Sequence, residues 1–183
     1  MRVIAGSARR LPLKTIEGMD TRPTTDRIKE TLFNILQDQV YDSSFLDLFA
    51  GSGGIGIEAL SRGAKEAVFV DQSKLCVKCI KENLAFTKLD SKAQVMESDA
   101  VSAINRLNKK FSLVFIDAPY KKGLEREVLL VLDRLLDKDS LVVIEEKIDT
   151  DLSYIDSETA FRTVRVKEYK TNKHIFLRLK DGE

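Results

Sequence analysis

The residues best suited to chemistry stand after short apolar runs in the middle of the chain. Residues 47–56 read Asp-Leu-Phe-Ala-Gly-Ser-Gly-Gly-Ile-Gly. Gly51, Gly53 and Gly56 match the spacing that turns a strand tightly into a helix and lets backbone approach a nucleotide. Asp71 follows Gly51 by twenty positions, the distance of an acid that accepts from ribose hydroxyls. NAD fits these features. Asp47, just before the glycines, speaks against it. Its carboxylate would repel a pyrophosphate by about 1 kcal/mol at 4 Å in water, and by about 4 kcal/mol at an effective dielectric of 20. S-adenosylmethionine has no phosphate and carries an ammonium and a sulfonium, which a carboxylate suits. Asp99 can accept from an adenine amino group, or simply cap a helix. The expected cofactor wall is Asp47, Phe49, Ala50, Gly51, Ser52, Gly53, Asp71, Gln72, Asp99, Ala100 and Asp117.

Residues 117–120, Asp-Ala-Pro-Tyr, suggest a reaction. The amino group of a nucleic-acid base is a poor nucleophile, because its lone pair is delocalised into the ring. Two acceptors on its hydrogens would localise that pair. The Asp117 carboxylate is one and the Ala118 carbonyl the other. Pro119 biases Ala118 to extended geometry and stiffens the turn. Asp117 can then take the proton released. Tyr120 offers a face on which a splayed-out base stacks, worth about 1–3 kcal/mol. Asp117, Ala118, Pro119 and Tyr120 are the expected catalytic set.

These residues need a scaffold that gathers strand ends. From residue 45, short apolar runs at 45–49, 67–70, 93–96, 111–116 and 141–144 alternate with helical patterns. Such alternation implies a parallel sheet with helices on both faces. Ligands of these sheets bind outside the carboxyl ends of the strands, where Asp47, Asp71, Asp99 and Asp117 fall. Ser73 and Asp99 read as helix caps. Two strand-like runs, 161–169 and 174–179, read as a closing antiparallel hairpin. Upstream, Ile28, Leu32, Ile35 and Leu36 form an apolar helical stripe, with Thr24 as its expected cap. Residues 1–20 read as short strands or an extended arm. The expected division is an RNA-contacting basic extension and helix at 1–40, then a catalytic domain at 41–183.

Apolar residues are 43% of the 183, enough to bury a sizeable core, and the net charge of +1 advertises no polyanion. The first 29 residues, however, hold seven cations against three acids, a net +4, and leave the remainder at −3. Such an arm fits a phosphate backbone, with Arg2, Arg9, Arg10, Lys14, Arg22 and Arg27 as expected RNA contacts. Cys76 and Cys79 read as helix-core residues: no second cysteine pair exists and His174 is the one histidine, so no metal site is expected. His174 itself reads as structural or exposed. No leader pattern or membrane-length apolar run is found, so a reduced, cytoplasmic monomer is expected.

Residues 2–10 (Arg-Val-Ile-Ala-Gly-Ser-Ala-Arg-Arg), 21–36 (beginning Thr-Arg-Pro-Thr) and 47–53 occur in the order of the RsmD family, which the chain resembles over nearly its whole length. These are bacterial methyltransferases of small-subunit ribosomal RNA. The Asp-Ala-Pro-Tyr segment likewise resembles the Asp/Asn/Ser-Pro-Pro-Tyr/Phe motif of amino-methyltransferases, with Ala118 at the first proline position. Ala5 and Lys170 stand where the family usually has glycine. The resemblance implies a Rossmann-like class I fold with a mostly parallel seven-stranded sheet. It also implies S-adenosylmethionine as donor, and transfer to a guanine N2 amino group of 16S rRNA in the small subunit or its assembly intermediate. From the residues alone, an adenine-N6 methyltransferase, an NAD-dependent oxidoreductase and a non-catalytic RNA-binding protein stay open.

Overall fold

A computed structural model describes residues 1–18, 25–120 and 122–182. Seven strands form one sheet: β1 Ser44–Leu48, β2 Glu66–Asp71, β3 Ala93–Glu97, β4 Leu113–Ile116, β5 Leu141–Lys147, β6 Phe161–Glu168 and β7 Asn172–Leu179. Their spatial order is β3-β2-β1-β4-β5-β7-β6. Strands β1 to β5 pair in parallel, while β7 runs antiparallel to both β5 and β6. The expected mostly parallel sheet and closing hairpin are thus present, with β7 lying between β5 and β6. Strand order reverses between β1 and β4, the switch point at which open α/β sheets bind ligands.

Side-chain alternation along the strands divides the core into two layers. Phe45, Phe69, Phe115, Val143 and Phe176 face the layer that also holds Leu32, Phe33, Ile57 and Ile80. Leu46, Leu48, Val68, Ile116 and Ile144 face the other, with Ala103, Ile104, Val128 and Leu132. The first layer is covered by α1 Asp26–Leu36, α2 Gly54–Ser61 and α3 Lys74–Thr87, and the second by α4 Ala100–Arg106 and α5 Leu124–Leu132. Short α6, Tyr154–Glu158, precedes the hairpin. Each fully buried Phe or Leu contributes about 1.5–3 kcal/mol through apolar burial.

The structure corrects several local expectations. The N-cap of α1 is Thr25, whose hydroxyl accepts from Ile28 N–H; Thr24 lies outside the described residues. Such a cap contributes about 1 kcal/mol. The buried face of α1 is Lys29, Leu32, Phe33 and Leu36, while Ile28 and Ile35 are half-buried. Ser73 and Asp99 cap α3 and α4 as expected. Cys76 and Cys79 are buried in α3. His174, read as structural or exposed, is fully buried. Strand β5 continues through Glu145 and Glu146, both buried, because Asn172 Nδ2 donates to Glu145 Oε1 at 2.7 Å from the hairpin.

Residues 1–14 are tied down. Val3 N–H donates to Leu11 O, Arg10 N–H to Val3 O and Leu13 N–H to Met1 O, each at 2.9 Å. Val3, Ala8 and Leu13 join the same apolar layer as α1 and the sheet. The anchor is Glu58 of α2, fully buried, which accepts from Ile4 N–H at 2.9 Å and Ala5 N–H at 3.2 Å. Lys29, also fully buried, faces Glu58 at 3.7 Å and donates to Arg2 O at 2.6 Å. Glu58 and Lys29 are therefore an interior pair that folds the arm back.

Candidate active site

A cleft of about 440 Å³ opens over the carboxyl ends of β1, β2, β3 and β4. That is within the range of small-molecule sites, about 300–1,000 Å³. Asp47, Phe49, Ala50, Gly51, Ser52, Asp71, Gln72, Asp99, Ala100, Asp117 and Pro119 line it. It therefore gathers nearly the whole expected set from four strand ends. Gly53, Ala118 and Tyr120 stand apart. Gly53 is the left-handed cap of α2, with φ 85°. Ala118 is buried in the second core layer. Tyr120 borders a neighbouring hollow with Glu125, Glu146 and Lys147, and Lys147 Nζ lies 4.9 Å from its ring centroid.

Hydrogen bonds explain how the glycine loop holds its shape. Asp71 accepts from Gly51 N–H through Oδ2 and from Ser73 N–H through Oδ1, both at 2.9 Å. The acid that could meet ribose hydroxyls thereby also fixes the loop. Asp47 Oδ2 accepts from Gly56 N–H at 3.0 Å. Gly56 admits no side chain: a Cβ there would stand 2.4 Å from the Phe69 ring. Gly51 is different. Its φ is +59° and a Cβ would meet nothing within 4 Å, so its bare Cα faces open cleft. A ligand lying against this backbone needs that space. The expected result of Gly51→Val is at least a tenfold loss of S-adenosylmethionine affinity by calorimetry. Retention of wild-type affinity would remove the loop from the cofactor wall. Phe49 also has a left-handed backbone, φ 59°, uncommon for a bulky residue and found where surrounding structure imposes it.

The cleft is acidic at its floor. Asp47 is 2% exposed, and burial pushes its carboxyl up to about 8, with Asp71 adding to the effect. Burial raises Asp117 well above the usual carboxylate range, reinforced by Glu145, Asp47 and Glu146. Asp99 is exposed and held below its ordinary value by Ser102 N–H, which its Oδ1 accepts at 2.9 Å. A positively charged ligand would relieve the crowding of buried acids. Among the described residues no three metal-ligating side chains cluster.

Other cleft residues carried no motif in the sequence. Met1, Ile16, Lys29, Leu124 and Glu127 line it. Asn83 of α3, 1% exposed, donates to Ser52 O at 2.9 Å and to Lys14 O at 3.0 Å, and accepts from Lys14 N–H at 2.8 Å. It ties the glycine loop to the N-terminal arm. Its one sequence signal is a polar residue on the buried face of an amphipathic helix.

Of the expected RNA contacts, Arg9, Arg10 and Arg27 are exposed and have no ion pair among the described residues. Arg2 pairs with Asp26 at 3.1 Å and Lys14 with Glu82 at 3.0 Å. Arg22 lies outside the described residues.

The family model described as Conserved hypothetical protein 95 matches residues 1–178. The chain belongs to the RsmD family. Ribosomal RNA small subunit methyltransferase D of Escherichia coli (strain K12) is 34% identical over 170 residues, 91% of this chain and 84% of that one. The Bacillus subtilis (strain 168) protein YlbH is 40% identical over 157 residues, covering 83% and 85%. The solved structure of yhhF from Escherichia coli superposes with a TM-score of 0.86 at 31% identity, over 98% of each chain. The RsmD family architecture, a class I methyltransferase sheet ending in an antiparallel hairpin, is thus the one found here. Among the described residues no helix is long and apolar enough to cross a membrane.

Proposed function

We propose that this chain transfers the methyl group of S-adenosylmethionine to the N2 amino group of a guanine in 16S rRNA. The observation that carries the reading is the convergence of Asp47, Gly51, Asp71, Asp99 and Asp117 on one cleft of donor-sized volume. The family relationship supports it, because the Escherichia coli relative is named for small-subunit ribosomal RNA methylation. The proposed setting is the cytoplasm, with the small subunit or its assembly intermediate as substrate.

The residues present fit the donor. Gly51 leaves room against its backbone, Asp71 presents a fixed carboxylate for ribose hydroxyls, and Asp47 supplies negative charge in a dry site. Asp99, beside the cleft, serves the adenine amino group. When bound, the donor supplies an electrophilic methyl group on a cationic sulfur. Asp117 and the Ala118 carbonyl accept from the two hydrogens of the target amine, and Pro119 holds that carbonyl. Asp117 would take one of the amine protons once the amine had gained the methyl group. Its raised proton affinity suits it to this. Tyr120, in the hollow beside the cleft with Lys147 against its ring, is left as a platform for a base or its neighbour to stack on.

The buried acids give donor binding a pH dependence. A cation binds the ionised form of Asp47 better. In the free protein this group is largely protonated below about 8. Donor affinity is therefore expected to rise from pH 6 to pH 8 and flatten above, with proton release on binding. Asp47→Asn removes this component and leaves the titration of Asp117 and of the ligand itself. Identical pH profiles for the two proteins would refute the assignment. For the function itself, nucleoside mass spectrometry of 16S rRNA from a deletion strain is expected to show loss of N2-methylguanosine. Loss of N6-methyladenosine instead would move the target amine to adenine, and no change in either would overturn the proposal.

A further inference from the structure

The N-terminal arm is not the most strongly charged segment of the molecule. Residues 161–180, the β6–β7 hairpin, hold Arg162, Arg165, Lys167, Lys170, Lys173, Arg178 and Lys180 against the single acid Glu168. That is a net +6, so the rest of the chain carries −5 of the total +1. Among the described residues, none of these seven cations takes part in an ion pair. Arg162, Arg165 and Lys170 are exposed. Strand β6 is the edge of the sheet, so its outer side has no strand neighbour.

Register places one end of this strip beside Lys147 and, through it, Tyr120, in the hollow next to the cleft. Lys147, at the end of β5, pairs with Asn172, and Glu146 pairs with Lys173. Ile148 N–H donates to Thr171 O at 3.1 Å, and Tyr169 N–H to Asn172 O at 2.8 Å. The hairpin turn therefore abuts Lys147, which lies over the Tyr120 ring. From there the cations run back along the edge strand through Lys167 and Arg165 to Arg162.

We propose that the β6–β7 hairpin is a second RNA surface, which carries the phosphate backbone flanking the target base away from Tyr120 along the sheet edge. The inference rests on the reading of the substrate as RNA. Charge on an edge strand also keeps it from pairing with other chains. That role is served by either sign, whereas a nearly uniform positive strip recruits phosphates and makes binding salt-dependent.

The test uses the full chain, in vitro transcribed 16S rRNA and small subunits, with an Arg162→Gln/Arg165→Gln/Lys170→Gln variant. An Arg165→Gln/Lys170→Gln variant repeats the test with less perturbation of the strand. Donor affinity and melting temperature report folding. Both variants are expected to lose about tenfold or more in affinity for naked RNA near 0.1 M salt. The slope of log affinity against log salt should become shallower by roughly 0.7 for each phosphate contact removed. Unchanged affinity and slope in folded variants would overturn the hairpin surface while leaving the methyltransferase reading intact. A loss seen only with protein-containing subunits would also overturn it, in favour of a protein contact. Wild-type protein that bound neither RNA nor subunits would overturn the substrate reading as well.

Discussion

Asp117→Ala is expected to lower the methylation rate by about 10²–10⁴, the range that a positioned general base supplies, while donor affinity changes only a few-fold. Asp117 lines the cleft, where the proposed function puts the reacting amine. It also lies among Glu145, Asp47 and Glu146, which hold its proton affinity high. A carboxyl so placed is a strong proton acceptor at the moment the amine becomes cationic. Stability provides the control. An acid whose folded pKa is raised weakens the native state as pH climbs above its unfolded value, since only the unfolded chain gains by ionising. The isosteric Asp117→Asn should therefore melt no lower than wild type at pH 8, and, keeping an acceptor oxygen but no basic carboxylate, should fall between wild type and the alanine variant in rate. Single-turnover methylation of 16S rRNA or subunits, with calorimetric donor binding, checks both. A variant with wild-type single-turnover rate would end the catalytic assignment.

Glu58→Ala should have the largest effect on stability. Glu58 accepts from Ile4 N–H, Ala5 N–H and Arg62 Nε, and it neutralises Lys29 in the interior. Both members of that pair are fully buried. Removing one partner of a buried pair costs about 3–5 kcal/mol, because the other is left charged and dry. For a chain of this size that lowers the melting temperature by roughly 6–20 °C. Burial already lowers the pKa of Lys29, opposed chiefly by Glu58. Without Glu58 the lysine loses that support, and the variant should regain some stability at alkaline pH. Donor binding should weaken too, since Lys29, Met1 and Ile16 line the cleft. Urea denaturation at pH 7 and pH 9 measures the effect. A loss under 1 kcal/mol at pH 7 would show that the arm is held without Glu58, by its apolar contacts and its other hydrogen bonds.

Most of the cleft was legible in the sequence because its chemistry is carried by local signals. Asp47 precedes the glycines, Asp71 ends its strand, Asp99 follows the next strand by two residues as a helix cap, and Asp117 heads a proline turn. In a parallel sheet each of these points emerges on the same edge, so strand order hardly matters to their gathering. Tyr120 shows the limit. Its place in the motif aligned it with the cleft, but the turn carries it to the neighbouring hollow beside Lys147. Glu145 and Glu146 show another. Charged residues end an apolar run in sequence, yet here they continue the strand, because β7 pairs with β5 antiparallel and brings Asn172 against Glu145.

The sequence by itself determined the alternation of strands and helices, the glycine loop, the helix caps at Ser73 and Asp99, and the acids at the strand ends. Each follows from contacts within a few residues, where backbone geometry and residue type leave little choice. Only the tertiary structure decided that Glu58 and Lys29 are interior partners, that Asn83 ties the arm to the loop, and that β7 lies inside β6. These depend on residues 29, 54 or 69 positions apart in sequence meeting in space. A desolvated charge reveals its partner only once the chain between them has closed.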